Sequence, residues 1–193
     1  MGVKPRQRKC KHCGNKYAPY NSLQKACSPL CALEVGREAR KLKEAREAKD
    51  KLKAQKEALK PRGEFLKEAQ ASVNRYVRFR DRHDNCINCG EFVAWDGNVS
   101  DAANFYGRGG HPAMRFDLRN ISKSCKKCNK HQDKWIAFYQ DNLIDKIGLE
   151  RFNQLKADRQ YWDKTKRNFD IKYLKRIKKI FDKKLKRMKS RDC

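Results

Sequence analysis

Eight of the nine cysteines fall into two groups of four, and each group opens on Cys-x-x-Cys-Gly. Cys10 and Cys13 precede Cys27 and Cys31 across a thirteen-residue loop, and Cys86 and Cys89 precede Cys125 and Cys128 across thirty-five residues. Four thiolates at these spacings suit one tetrahedral zinc per group, with the ion closing the intervening loop. Two structural zinc sites are therefore expected. Residues 1–16 are basic and lack an apolar core, so no secretory leader is expected, and the thiols read as metal ligands rather than disulfide halves. Gly14 follows the first pair where a knuckle turn needs positive φ. Ser28-Pro29 reads as an N-cap and first helical residue, which places Cys27 and Cys31 at a helix N-terminus.

Small metal-pinned modules suit the rest of the composition. Charged residues make up 37% of the chain, and the mean hydropathy of -1.05 leaves too little apolar material for one large core. The 49 Lys and Arg against 23 Asp and Glu give a formal charge of +26, which calls for a polyanion. Nucleic acid is that partner, because phosphate neutralisation releases condensed counterions. A membrane is not expected, since no apolar run approaches the ~20 residues a spanning helix needs.

In order, residues 1–33 form the first knuckle, with Arg6, Arg8, Lys9 and Lys11 as phosphate-contacting candidates beside Tyr17 and Tyr20. Residues 34–60 are nearly all Ala, Glu, Lys, Leu and Arg and predict a solvated spacer helix; its apolar positions are too sparse for a coiled-coil seam. Pro61 and Gly63 break that helix. Within residues 61–83, Phe65, Ala69, Val73, Tyr76 and Arg80 make a stripe at helical steps, so this helix has a face to bury on the module of residues 84–150. In that module Phe92–Trp95, Ala102–Tyr106, Met114–Phe116 and Asn120–Ser122 read as extended pieces. A helix carrying Trp135, Ile136, Tyr139, Leu143 and Ile147 follows and stops at Gly148. Residues 151–193 are helical and basic: from Lys164 on, fourteen basic residues oppose three acidic ones, with Leu174, Ile177, Phe181, Leu185 and Met188 at helical spacing. Lys175, Lys178 and Lys179 lie on the polar side of that helix as phosphate contacts. The expected class is α+β, mostly α.

The sequence CINCG, then WDGN, SDAANF, PAMRFDLRNI and CKKCNKH, together with the N-terminal CxxC and CSPxC, ALKPR and the later LIDKIG, resembles the NinG family of lambdoid phages, also called Rap. More broadly the central module resembles the HNH, or ββα-metal, nucleases, in which a hairpin and a helix hold one catalytic divalent ion. The resemblance implies a recombination nuclease of the host cytoplasm acting on branched DNA such as Holliday junctions and D-loops, with magnesium or manganese as catalytic ion. A symmetric junction points to a homodimer, and other phage or host recombination proteins are further implied partners.

Carried over residue by residue, the family pattern D-A-G-H-[FY] falls on Asp101, Ala102, Ala103, Asn104 and Phe105, so Asn104 stands where the family has its general-base histidine. An amide cannot accept a proton near neutral pH. Ser122 replaces a second family histidine. Asp101, Arg115, Phe116, Asn120, Asn129 and His131 match. Asp101, Asn129 and His131 are the ligand candidates for the divalent ion, and His111, in the glycine-rich loop from Gly107 to Pro112, is the substitute base. Asn104 and Asn120 complete the catalytic candidates, and Arg108, Arg115, Lys126, Lys127 and Lys130 are the DNA contacts of this module. Three functions are consistent with these residues: a metal-dependent branched-DNA endonuclease, a relative that binds branched DNA without cutting it, and a zinc-stabilised RNA-binding or transcription-associated protein.

Overall fold

The computed structural model describes residues 7–131, 136–165 and 168–192. It is mostly helical with two small antiparallel sheets, and it divides into two compact units, residues 1–60 and 61–193.

In the first unit β1 (Arg8–Lys9) pairs with β2 (Lys16–Tyr17), Arg8 opposite Tyr17. Helix α1 runs from Pro29 to Ala58. It begins earlier than the spacer expected from residue 34, because the Ser28 hydroxyl accepts the Cys31 backbone N–H at 3.3 Å and Pro29 supplies a preset helical φ. The last cysteine of the knuckle, Cys31, thus lies on the same continuous helix as the spacer. None of its residues is buried, as its sparse apolar positions imply.

The second unit starts with α2 (Arg62–Arg80). Its stripe is buried in part: Phe65, Ala69 and Val73, with Val77 beside them, face Leu174 and Phe181 of α6 (Ile171–Lys189), together with Phe116 and Phe169, while Tyr76 and Arg80 are half-buried. Each fully buried Val or Leu contributes about 1.5–3 kcal/mol. The basic C-terminal helix therefore earns its place through its apolar stripe, while its cations stay outside. Asp170 caps it, accepting the Tyr173 N–H at 2.6 Å.

Between these helices β3 (Ser100–Asn104) pairs antiparallel with β4 (Ile121–Cys125), Ala102 opposite Lys123 and Asn104 opposite Ile121. Alternation along the strands divides the interior. Ala102 and Ile121 join the α2–α6 core, whereas Ala103 joins a second core of Phe105, Met114, Tyr139, Leu143, Phe152 and Leu155. That second core is closed by α4 (Ile136–Ile147) and α5 (Leu149–Thr165), which meet at Gly148, whose φ of +85° ends α4 as expected. A short helix, α3 (Lys126–Lys130), follows β4. Trp135 lies outside the described residues.

Two of the extended pieces expected from sequence are not strands. Phe92–Trp95 forms no ladder: the Trp95 ring packs edge-on to Phe79 at 5.0 Å and its carbonyl accepts the Ser100 hydroxyl at 3.2 Å. Met114 closes a 3-10 turn, Pro112–Met114, and from there Met114 and Phe116 enter different cores. The turn sits inside a loop pinned by Asn120, which is fully buried. Its side-chain oxygen accepts the Tyr106 N–H at 2.7 Å, and its amide donates to the carbonyls of Tyr106 and Met114, each at 3.1 Å.

A buried charge network ties α2 to the strand pair. Asp81 accepts from Arg80 at 2.6 Å, from Lys146 at 2.9 Å and from the Lys123 backbone N–H at 3.0 Å. Burial raises its pKa, but Arg80 and Lys146 outweigh this and hold the carboxyl below the ordinary range. Lys123 is itself buried and donates its ammonium to the Val93 and Arg82 carbonyls at 2.8 and 3.3 Å. Among the described residues no helix is long and apolar enough to cross a membrane.

Candidate functional site

Two cysteine clusters come first, since they fix everything nearby. At the first, the Cys10 N–H donates to the Asn15 carbonyl at 2.8 Å and the Gly14 N–H returns to the Cys10 carbonyl at 3.0 Å; Gly14 has φ +76°. At the second, Cys86 N–H to Glu91 carbonyl is 2.8 Å, Gly90 N–H to Cys86 carbonyl is 2.9 Å, and Gly90 has φ +74°. The two turns are superimposable in their bonding. In each cluster the four Sγ atoms lie within 4.8 Å of one another. Cys13 to Cys27 is 3.5 Å and Cys27 to Cys31 is 3.7 Å, close to the ~3.8 Å edge of a tetrahedron with ~2.3 Å zinc–sulfur bonds. Each cluster can hold a zinc ion.

The thiols in a cluster do not ionise alike. Backbone N–H donation, foremost from Cys13, brings Cys10 down to about 6, while hydrogen bonds from Cys13 and Cys31 push Cys27 up to about 12. At the second site burial opposes ionisation of Cys86, yet the Cys125 and Cys89 N–H groups bring it to about 7; burial drives Cys89 and Cys128 upward. The first proton leaves easily and the last does not, so a dication is what lets all four thiols ionise together. Backbone donors already point at sulfur: Cys125 N–H to Cys86 Sγ at 3.2 Å and Cys128 N–H to Cys125 Sγ at 3.4 Å.

Beside the second cluster lies a cleft of about 430 Å³ lined by Ala102, Asn104, Gly107, Arg108, Gly109, Arg115 and Asn129. β3 delivers Asn104 from its buried end, and α3, started by the Cys125–Cys128 pair, delivers Asn129. Asn129 donates to Asp101 Oδ2 at 3.1 Å, which links two of the catalytic candidates, while Asn104 shares the cleft lining with Asn129. Arg115 reaches Gln70 Oε1 at 3.4 Å. Its pKa is lowered by burial and by the neighbouring charges of Arg108 and Arg62. Among the described residues neither Arg108 nor Arg115 has a carboxylate partner. A pocket that crowds guanidinium groups without neutralising them favours an anionic ligand.

The other candidates sit apart from the cleft lining. Asn120 is spent on backbone groups of the loop. His131 is the exposed C-cap of α3. His111 closes the Gly107 loop through its N–H to the Gly107 carbonyl at 2.8 Å, and its Nδ1 lies 2.8 Å from Asp163 Oδ2 on α5. Among the described residues, the two cysteine clusters are the only groups of three or more His, Cys, Asp or Glu side chains close enough to hold a metal. Of the proposed DNA contacts, Arg8, Lys9, Lys11, Arg108, Lys127, Lys130, Lys175 and Lys179 are exposed. Lys126 donates to Asn98, and Lys178 lies 3.9 Å from Glu68. Arg6 lies outside the described residues. Sequence reading missed Arg62, Gln70 and Asp163, which come from distant segments. Only Arg62 carried a local signal, in the Lys60–Gly63 break.

A family model described as "Bacteriophage Lambda NinG protein" matches residues 2–191. The chain is 34% identical over 198 residues to the "Protein ninG" of Escherichia phage 933W, covering 92% of this chain and 96% of that protein. It is 32% identical over 208 residues to that of Escherichia phage lambda, covering 98% and 97%, and 33% identical over 174 residues to that of Salmonella phage P22, covering 81% and 83%. No solved structure matches the chain significantly.

Proposed function

The chain belongs to the NinG family, and on that premise we propose that it is a recombination protein that binds branched DNA and hydrolyses its phosphodiesters with a divalent ion. The observation that carries this reading is the cleft itself. Arg108 and Arg115, without carboxylate partners, face a cavity whose other walls offer the Asn104 and Asn129 amides, with a carboxylate, Asp101, directly behind Asn129. This is an arrangement for seating a phosphodiester beside a hard-oxygen ligand. The order of the antiparallel pair β3–β4 followed by α3 supports this reading, since the nucleases that the central segment resembles are built as a hairpin and a helix.

Magnesium sites on phosphate substrates use one or two protein carboxylates and take their remaining ligands from water and the phosphate itself. Asp101 as the single carboxylate would fit that pattern, with the Asn129 amide beside it as a second oxygen donor, whereas His131, the exposed C-cap of α3, lies outside the cleft lining. The bound ion supplies Lewis-acid stabilisation of charge on the phosphoryl oxygens. Arg115 and Arg108 orient the phosphate. His111 stands outside the cleft lining and would take the proton only where the loop from Gly107 to Pro112 brings it in. With Nδ1–H directed to Asp163, its Nε2 is the accepting nitrogen, the tautomer a general base needs.

Purified protein with magnesium or manganese should nick a four-way junction or a D-loop, and Asp101→Ala should abolish nicking while leaving junction binding intact. Binding with no metal-dependent product defeats the proposal. The second reading, binding without cleavage, draws on Asn104 at the position of the family's histidine. It predicts that Asn104→His creates or strongly raises cleavage. The RNA reading predicts tighter binding to folded RNA than to DNA junctions at matched salt.

A further inference from the structure

The first unit carries a feature that cleavage in the second does not use. The turn from Tyr20 to Gln24 is fastened by side chains: Asn21 Oδ1 accepts the N–H groups of Leu23 and Gln24 at 3.0 and 2.9 Å, and Gln24 Oε1 accepts the Tyr20 N–H at 3.0 Å. The Tyr17 hydroxyl donates to the Gln24 carbonyl at 2.7 Å, and Arg8 donates to the Ser22 carbonyl at 2.7 Å. So much bonding in five residues holds a fixed shape. What it presents is a Tyr20 side chain at 86% exposure and Leu23 at 81%. Both line a groove that continues along Pro29, Ala32 and Val35 at the start of α1.

Exposed apolar groups on a rigid turn are a contact surface, and charge decides the partner. Residues 1–33 contain seven Lys or Arg and no Asp or Glu. Of these Arg8, Lys9, Lys11, Lys16 and Lys25 are exposed in the structure. The nearest carboxylates in sequence, Glu34 and Glu38, face Arg37 at 2.6 Å and His12 at 3.8 Å. An aromatic face set among phosphate-binding cations is the combination that binds single-stranded nucleic acid, because every base offers a π-face and every nucleotide a charge. We propose that the N-terminal knuckle is a single-strand-binding module in which Tyr20 stacks on an unpaired base, Leu23 flanks it, and the exposed cations hold the adjoining phosphates. On branched DNA its ligand is the unpaired segment at the branch.

This inference stands on the first unit alone, so it survives or falls independently of cleavage. The test uses the full-length zinc-loaded chain and fluorescence anisotropy with two labelled strands of equal length, one of thymidines and one of abasic sites. Tyr20→Ala should weaken binding to the thymidine strand about tenfold, and should leave binding to the abasic strand within about twofold because the phosphates are unchanged. Tyr20→Phe should bind as the parent does. Tyr20→Leu, which keeps apolar surface but removes the ring, should lose as much as Tyr20→Ala. Equal loss on both strands, no loss on the thymidine strand, or full retention by Tyr20→Leu overturns the proposal, the last favouring an apolar protein partner. Two zinc ions per chain in each variant establishes that the knuckle is intact.

Discussion

The two knuckles make the same turn and are supported in opposite ways. Around Cys10 little else is buried beyond Ala26, and α1, which grows directly from the cluster, buries nothing. Around Cys86 the cluster rests on Val93, the buried Ile87 and Asn88, and the Asp81–Lys123 network, with two apolar cores beyond. A metal held by the first cluster would substitute for a core; one held by the second would complete a core. The same ligand set would thus carry most of the tertiary stability in one unit and a local share in the other.

The sharpest way to break this contrast is to remove each metal separately. Cys10→Ser should lower bound zinc from two ions to one per chain and erase the tertiary structure of residues 8–28, an effect on the order of the 10–16 kcal/mol of apparent zinc-finger binding energy. Cys128→Ser should also remove one zinc, but the α2–α6 core should still melt cooperatively, at a lower temperature. Amide dispersion by NMR reads both, and identical responses would dissolve the distinction.

Next comes the support under the second site. Asp81→Asn leaves Arg80 and Lys146 facing a neutral group and should cost about 3–5 kcal/mol in the second unit, with no change in the first; denaturant unfolding measures it. The same carboxylate makes the second unit acid-labile. Its folded pKa is depressed, so its contribution is present above the ordinary carboxylate value and lost as pH falls through the lower folded one. Asp81→Asn should flatten the acid limb of the stability profile of that unit.

Smaller effects refine the picture. Asn120→Ala strands three backbone partners of the cleft loop and should cost about 1–3 kcal/mol, with raised hydrogen exchange at Tyr106. Ser28→Ala removes only the α1 cap and should cost about 1 kcal/mol. It should show as fraying of the first turn and a weaker first zinc site, since that turn carries Cys31.

The division between what could and could not be read from sequence follows the range of the interactions. Both clusters were legible from spacing, and Gly14 from the turn's need for positive φ; Gly90, in the same place after the second pair, takes the same conformation. The stripes of α2 and α6 were legible from period, because each presents one face to the core. Phe92–Trp95 misled: its apolar character serves a ring contact with Phe79 rather than a ladder. Buried Lys123 sits in a strand with a buried partner at the C-cap of α2, and nothing within its own segment announces Asp81, 42 residues away. The cleft was half visible. Asp101, Asn104, Arg115 and Asn129 stood out by motif, whereas Arg62, Gln70 and Asp163 reach the region only through the packing of α2 and α5.

The equivalence of the two turns has a practical limit that runs in one direction. Lys11 and His12, between the first pair of cysteines, are exposed, while Ile87 and Asn88, between the second, are buried, and the Ile87 carbonyl accepts from Asn142 at 2.8 Å. A graft of residues 86–91 into positions 10–15 therefore puts an apolar and an amide side chain where water tolerates them, and the recipient should still load zinc. The reverse graft drives a lysine and a histidine into a closed interior. The cassette is portable outward and not inward.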